Sequence, residues 1–324
     1  MLIRELAVEN LRLIEELRLT PEAGINVIAG PNGAGKTSIL EAIYLAGRGR
    51  TFRHRDARPL IREGETEARV FLRIQPAAGG RIVTLGMARQ SQGLQCRLDG
   101  TEVRKRSVLA EALPVQWVSS QPQGFLEGGP DMRRRFLDMV VFHVEQRYLE
   151  ALTGYQRALR QRNAALRAGD GAASRVWHPA LSEFAVVLNR SRQQTAVVAL
   201  TETWDLSARI DFRHHPGWSE SAALGDELDS RLQDDLRQGY TGRGPHRAEV
   251  EVLAIQSSKG RPAAKVLSRG QLKMLVIAIN LAAYDVIVAA VPDRRPIWLI
   301  DDLAAELDLA NRQRVMAALS QRDT

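Results

Sequence analysis

Cysteine is almost absent. Cys96 is the only one in 324 residues, so no disulfide can form within the chain, which suits a reducing compartment. Long apolar runs are absent too. The longest, Met274–Val291, is interrupted by Asn280 and Asp285, which predicts a buried helix and no membrane span. The opening "MLIRELAVENLR" mixes charged with apolar residues and has no signal-peptide core. Together these absences lead us to expect a cytoplasmic protein without a membrane partner. No internal repeat is visible.

Lysine is scarce as well. Only five of the 45 basic residues are lysine, at positions 36, 105, 259, 265 and 273, and the rest are arginine. The formal net charge is +7. Arginine's planar fork contacts phosphate oxygens in pairs, which fits nucleic acid. A GC-rich genome would give the same bias, so the charge alone decides little.

What is present is an α/β pattern interrupted by helices. "LIRELAVEN" and "EELRL" alternate like strands, and Ile25–Ala29 in "GINVIAG" predicts a short buried strand. A helix follows from Thr37 to Ala46, with Gly47 as its stop. Strand-like runs recur at Ala68–Ile74, Arg81–Met87 and Gln95–Leu98. From Asp131 to about Trp204 the periodicity becomes helical. Leu149, Leu152, Leu159 and Leu166 fall on one face of a helix that stops at "AGDG", and a second helix runs from about Pro179 past Val197. The pair predicts an antiparallel hairpin with arms of roughly 30–38 Å at 1.5 Å per residue. Strand character returns at "EVEVLAIQ" and again at "PIWLI". The expected domains are a head in two parts, 1–115 and 244–324, with a helical second domain at 116–243 between them. The chain ends at "LSQRDT" with no closing strand, so the head's final strand reads as missing.

Three motifs carry chemistry. The first is Gly30 to Thr37, "GPNGAGKT", which fits G-x-x-x-x-G-K-[ST] at every fixed position. Its glycines, Gly30, Gly33 and Gly35, let the loop that also holds Pro31, Asn32 and Ala34 turn its amides onto phosphate oxygens at a helix N-terminus. Lys36 can reach the β- and γ-phosphates, and the Thr37 hydroxyl can coordinate Mg²⁺. A chance match is on the order of 1% for a chain of this length, so ATP with Mg²⁺ is the expected ligand.

The second motif is "PIWLIDDLAAELD", an apolar strand that ends in acids. At such a strand end ligands bind in α/β folds. Asp301 is expected to hold the metal and Asp302 to polarise the attacking water. A helix-capping aspartate is the plainer alternative, and the phosphate loop tips the balance away from it.

The third is "LSRGQLK", Leu267–Lys273. Ser268 and Gly270 open a helix beginning near Gln271, which makes a second anion-binding helix start. One chain cannot easily bring both helix starts to the same γ-phosphate, whereas two copies head to tail can. The motif resembles the "LSGGQ" signature of ABC-type ATPases, with Arg269 at a position where that signature has glycine. The fold this implies is α/β, an ABC-type P-loop ATPase head with an inserted, mainly helical lever domain. Each composite site would join one copy's loop, Asp301 and Asp302 to the other's Ser268–Gln271 and Asp308.

The other ABC-type classes fit less well. Transporter subunits have a different insertion, ribosome-associated ATPases carry two phosphate loops, and SMC-like ATPases use far longer coiled coils. The chain resembles instead the RecF family, which pairs an SMC-like head with a short lever. "RELAVENLRLIEEL", "GPNGAGKTSILEAIYLAGRGRTFR", "GGPDMRRRFLDMVVFH", "GYTGRGPHR", "LSRGQLK" and "LIDDLAAELD" are similar to that family's blocks, in the same order. The sequence departs from the family at Gln123, where an acidic residue is usual, and after "GPHR", where an acidic pair is usual.

The resemblance implies a DNA repair and replication protein that dimerises on ATP and binds duplex DNA beside single-stranded gaps. With RecR and RecO it would help load RecA, turning ATP over slowly and faster with DNA. The expected DNA contacts are Arg48, Arg50, Arg53, Arg55 and Arg58, with Arg133–Arg135 as a second cluster that would equally suit an internal ion-pair network. An ATP-binding scaffold without useful turnover and a transporter ATPase subunit are the alternatives.

Overall fold

The structure is a computed structural model. It describes every residue except 53–59, 77–79, 120–122, 200–208, 257–258, 304, 306 and 323–324. The chain divides into two compact units. Met1–Gln121 groups with Ile287–Thr324, and Pro122–Val286 forms the other. The sequence-based division places 244–286 with the head and 116–121 with the helical domain instead.

The first unit begins with β1 (Leu2–Leu11), β2 (Ile14–Leu19) and α1 (Lys36–Arg48). Then come β3 (Glu67–Gln75), β4 (Val83–Gln90), β5 (Gly93–Leu98), β6 (Thr101–Glu102), α2 (Arg106–Ala112) and β7 (Val115–Val118). Six strands form an antiparallel sheet in the order β2-β1-β3-β4-β5-β6. β3 shows why: Ala68, Val70, Leu72 and Ile74 alternate inward while Arg69 and Arg73 face solvent, the period-2 signature of a half-covered sheet. α1 presents Ile39, Ala42, Ile43 and Ala46 to the same core. Its close seat depends on Gly47, because a Cβ there would stand 2.5 Å from the Leu113 carbonyl oxygen. The helix stops two residues later than expected, at Gly49, which is left-handed (φ 60) and donates to the Leu45 carbonyl.

The second unit contains α3 (Gln123–Glu127), α4 (Pro130–Val144), α5 (Tyr148–Arg167), α6 (Gly171–Arg175) and α7 (His178–Ala199). β8 (Arg209–His215), α8 (Leu224–Ser230), α9 (Leu232–Gln238), β9 (Glu249–Gln256), β10 (Lys259–Pro262) and α10 (Arg269–Ala290) complete it, though the last turn of α10 groups with the first unit. α5 and α7 form the expected hairpin, and three of the four leucines turn inward: Leu166 is buried and Leu152 and Leu159 pack against the unit's core, while Leu149 is exposed. The same side of α5 also buries Tyr148, Ala151, Tyr155, Ala158 and Arg162, of which the polar members escape a count of leucines. α10 is long and apolar enough to cross a membrane, yet 78% of its apolar window is buried.

The first unit closes with β11 (Ile297–Ile300) and α11 (Leu309–Ser320). β11 pairs in parallel with β7. The expected buried strand at Ile25–Ala29 is not formed: Ile25 is 45% and Val27 81% exposed. Among the described residues no strand pairs with this stretch. Of its apolar residues only Ile28 packs against the core; without a ladder on either side, composition alone cannot make a strand.

Candidate nucleotide site

The phosphate loop takes the shape its glycines permit. Gly33 (φ 84) and Gly35 (φ 89) hold left-handed backbone that a side chain would strain, and Gly35 is the N-cap of α1. Pro31 accepts from the Ala34 amide at 3.3 Å, and Pro31–Ala34 are exposed. The Lys36 ammonium folds over the loop and donates to the Gly30 and Pro31 carbonyls at 2.8 and 2.9 Å.

The relation that matters most joins two motifs 264 residues apart. Thr37 Oγ1 lies 3.2 and 3.3 Å from the two carboxylate oxygens of Asp301. A hydroxyl and a carboxylate side by side at a helix N-terminus are a hard-oxygen donor set of the kind Mg²⁺ accepts, so the residues fit that ion. β11 delivers Asp301 here because its parallel pairing with β7 fixes where the strand ends. Asp302 follows, exposed, with its backbone at φ 49. Such a conformation in a residue other than glycine persists only where the surroundings hold it. Asp308 accepts from the Asn311 amide at 2.7 Å and caps α11.

In the other unit, the signature stretch forms a reciprocal capping box. The Ser268 amide donates to Gln271 Oε1 at 2.9 Å, and the Gln271 amide donates to Ser268 Oγ at 3.3 Å. The helix therefore starts at Arg269, and Ser268 and Arg269 remain exposed.

The basic residues separate by structure. Arg48 is withdrawn from the expected DNA face. It donates to the Val115 carbonyl at 2.8 Å, and burial of its guanidinium lowers its pKa. Arg50 is exposed, whereas Arg53, Arg55 and Arg58 lie outside the described residues. Arg133 forms a two-point ion pair with Glu249 at 2.8 and 2.9 Å, and Arg134 binds Asp131 and the Ala248 carbonyl. Both belong to an internal network, and Arg135 is exposed.

Two buried polar groups escaped the reading of the sequence. In the first unit Arg12 and Glu41 form an ion pair. A glutamate in mid-helix and an arginine in a turn look like surface charges when only spacing is read. In the second unit Arg162 binds Asp235 at 2.8 Å and Thr241 at 2.7 Å. This pins the "GYTGRGPHR" loop, whose sequence pattern alone does not mark it as the partner of α5.

The model of the RecF/RecN/SMC N-terminal domain family matches residues 2–324. The protein named DNA replication and repair protein RecF from Azotobacter vinelandii is 36% identical over 99% of this chain and 88% of its own length. The chain belongs to the RecF family. A RecF of Pseudomonas paraeruginosa is likewise 36% identical, over 98% of this chain and 87% of its own. Among solved structures, one described as the recombination mediator RecF with ATP in the RecFOR pathway superposes with a TM-score of 0.86 at 20% identity, over 98% of this chain and 89% of that one. An SMC head domain from Pyrococcus furiosus matches at 0.55 with 16% identity, over 99% and 87%. At these identities the structures bear on fold, which is that of RecF and SMC heads, as the motifs lead one to expect.

Proposed function

We propose that the chain is an ATP-driven clamp on DNA. Two copies join head to tail on ATP, and hydrolysis releases them. The observation that carries this is the approach of Thr37 to Asp301 across 264 residues, because it assembles phosphate loop and acidic strand into one site. Lys36 would leave its loop carbonyls for the β- and γ-phosphates, and the loop amides would hold the remaining oxygens. Mg²⁺ held by Thr37 and Asp301 would neutralise phosphate charge. Asp302 would take a proton from the attacking water. The partner copy's Ser268, Arg269, Gly270 and Gln271 would meet the γ-phosphate, with Asp308 flanking it.

What the clamp encloses is duplex DNA beside a single-stranded gap, in keeping with the RecF family. Arg50, Arg53, Arg55 and Arg58 supply phosphate contacts without base readout. In that setting RecR, RecO and RecA are its partners in the cytoplasm.

The test is ATP turnover with and without gapped DNA, for wild type, Lys36→Met and Asp302→Asn. The proposal expects slow turnover that DNA accelerates in the wild type and that both variants lose. An Asp302→Asn protein turning ATP over like the wild type would favour a scaffold that binds nucleotide without using it.

A further inference from the structure

Tyr240, in the loop between α9 and β9, is 43% exposed, and the Arg247 guanidinium lies over its ring, 5.3 Å from the centre. Arg247 is exposed as well. The loop that presents this pair is fixed from behind. The Thr241 amide and hydroxyl both donate to Asn163 Oδ1, at 2.8 and 2.7 Å. The Gly242 amide donates to Asp235 at 3.0 Å, and the Pro245 carbonyl accepts from Arg192 at 2.7 Å. Gly244 has φ 129, and a Cβ there would stand 2.4 Å from Tyr155 Oη.

The neighbouring helix adds charge to the same place. Arg160, Asn163 and Arg167 of α5 are three and four residues apart, so they share one helix face. Asn163 is the residue that holds Thr241, and the Arg167 stem lies 3.3 Å from where a Cβ on Gly239 would stand. Arg160 and Arg167 are exposed, and among the described residues neither they nor Arg247 has an acidic partner. Two nearby arginines differ in this respect: Arg243 pairs with Glu227 at 3.2 Å, and Arg237 with Asp234.

Buried charges such as Arg162 and Arg192 roughly break even against apolar residues of the same size. What they supply here is a loop of set shape, so a ligand need not order it on binding. Three unpaired guanidinium groups call for an anion, and their planar forks suit phosphate. The ring beside them adds a face on which a base can stack. An acidic peptide would match the charge and leave the ring unused. Duplex DNA keeps its bases stacked on one another and would leave it unused too.

We infer that Tyr240, with Arg160, Arg167 and Arg247, is a binding surface for single-stranded nucleic acid, the ring stacking on a base and the arginines contacting phosphates. The surface lies wholly in the second unit and needs neither ATP nor a second copy. It therefore stands apart from the clamp, and either can fail without the other.

The test is fluorescence anisotropy of the full chain without ATP, across a salt series. The probes are labelled oligo(dT) and oligo(U) of about 15 nucleotides and a blunt duplex, and the tighter-binding strand names the source. Tyr240→Leu should weaken strand binding about 5- to 150-fold, the range for losing one stacked base, with duplex affinity within about twofold of wild type. Tyr240→Phe restores the ring and should recover what leucine loses. Arg160→Gln, Arg167→Gln and Arg247→Gln combined should take about 2 from the slope of log affinity against log salt, at about 0.7 for each phosphate contact on a single strand. These side chains are exposed, so the variants should unfold at the wild-type urea midpoint. A wild type that binds neither strand overturns the inference. So does a Tyr240→Leu protein with unchanged strand affinity, or one that loses as much on the duplex. Polyglutamate competing as well as the strand would show that the surface reads charge alone, and overturns it too.

Discussion

Thr37 Oγ1 stands 3.2 Å from the Asp301 carboxylate, and that single approach turns two separate motifs into one site. It also predicts how they fail. Asp301→Asn should weaken Mg²⁺-dependent nucleotide binding by at least about 10-fold, since losing even a group that only supports a metal's ligands costs about that much. Binding measured in EDTA should change little. Titration calorimetry with and without Mg²⁺ checks this, and equal losses in both conditions would count against a shared metal site.

The capping box separates stability from assembly. Ser268→Ala removes the side-chain acceptor for the Gln271 amide and should destabilise the helix by about 1 kcal/mol. Urea unfolding followed by circular dichroism measures it. A neutral result would mean that Gln271 alone sustains the helix start.

Burial sets the scale for the polar core of the second unit. Arg162 and Asp235 are 0% and 2% exposed, whereas Arg18 and Glu16 are both 69% exposed. Removing one member of the buried pair leaves a charge unpaired, so Arg162→Ala should cost about 3–5 kcal/mol. Arg18→Ala should cost less than about 1 kcal/mol. Chemical denaturation of both variants tests the contrast, and similar losses would contradict it.

The same unit should lose stability in mild acid. His246 Nε2 faces the Thr241 carbonyl at 2.9 Å, which can only accept, so Nε2 carries the proton and Nδ1 accepts from Tyr155 at 2.7 Å. Burial, first among its causes, pushes the His246 pKa down to about 4. An unfolded histidine titrates near 6.5, so between these values the unfolded chain binds more protons. Stability therefore falls as pH drops from about 6.5 toward 4, by on the order of 2–3 kcal/mol from this residue. His214, also lowered to about 4 by burial, acts in the same window. Urea midpoints from pH 7 to 4.5 should slope less in His246→Gln. An unchanged slope would show that the ring is not held neutral.

What could be read in advance follows a physical division. The phosphate loop, the acidic strand end and the signature serine were legible because each is a local pattern whose chemistry needs fixed spacing. The face of α5 was legible in Leu152, Leu159 and Leu166 but not in Arg162, whose partners lie on α9 and in the loop after it. Ile25–Ala29 has a strand's composition, but whether it pairs depends on other segments. Arg48 reads from the sequence as a DNA contact and Arg133 as either a DNA contact or an internal ion pair, and only Val115 and Glu249, distant in sequence, decide both. Arg12 and Glu41 were invisible for the same reason: their meaning lies in each other.

The central claim is that ATP joins two copies through the signature stretch. Light scattering of wild type and Ser268→Arg, with and without ATP, tests it most directly. The account predicts that ATP raises the mass of the wild type toward a dimer, while Ser268→Arg binds ATP and stays monomeric. If Ser268→Arg dimerises on ATP as the wild type does, the signature stretch is not part of a shared site.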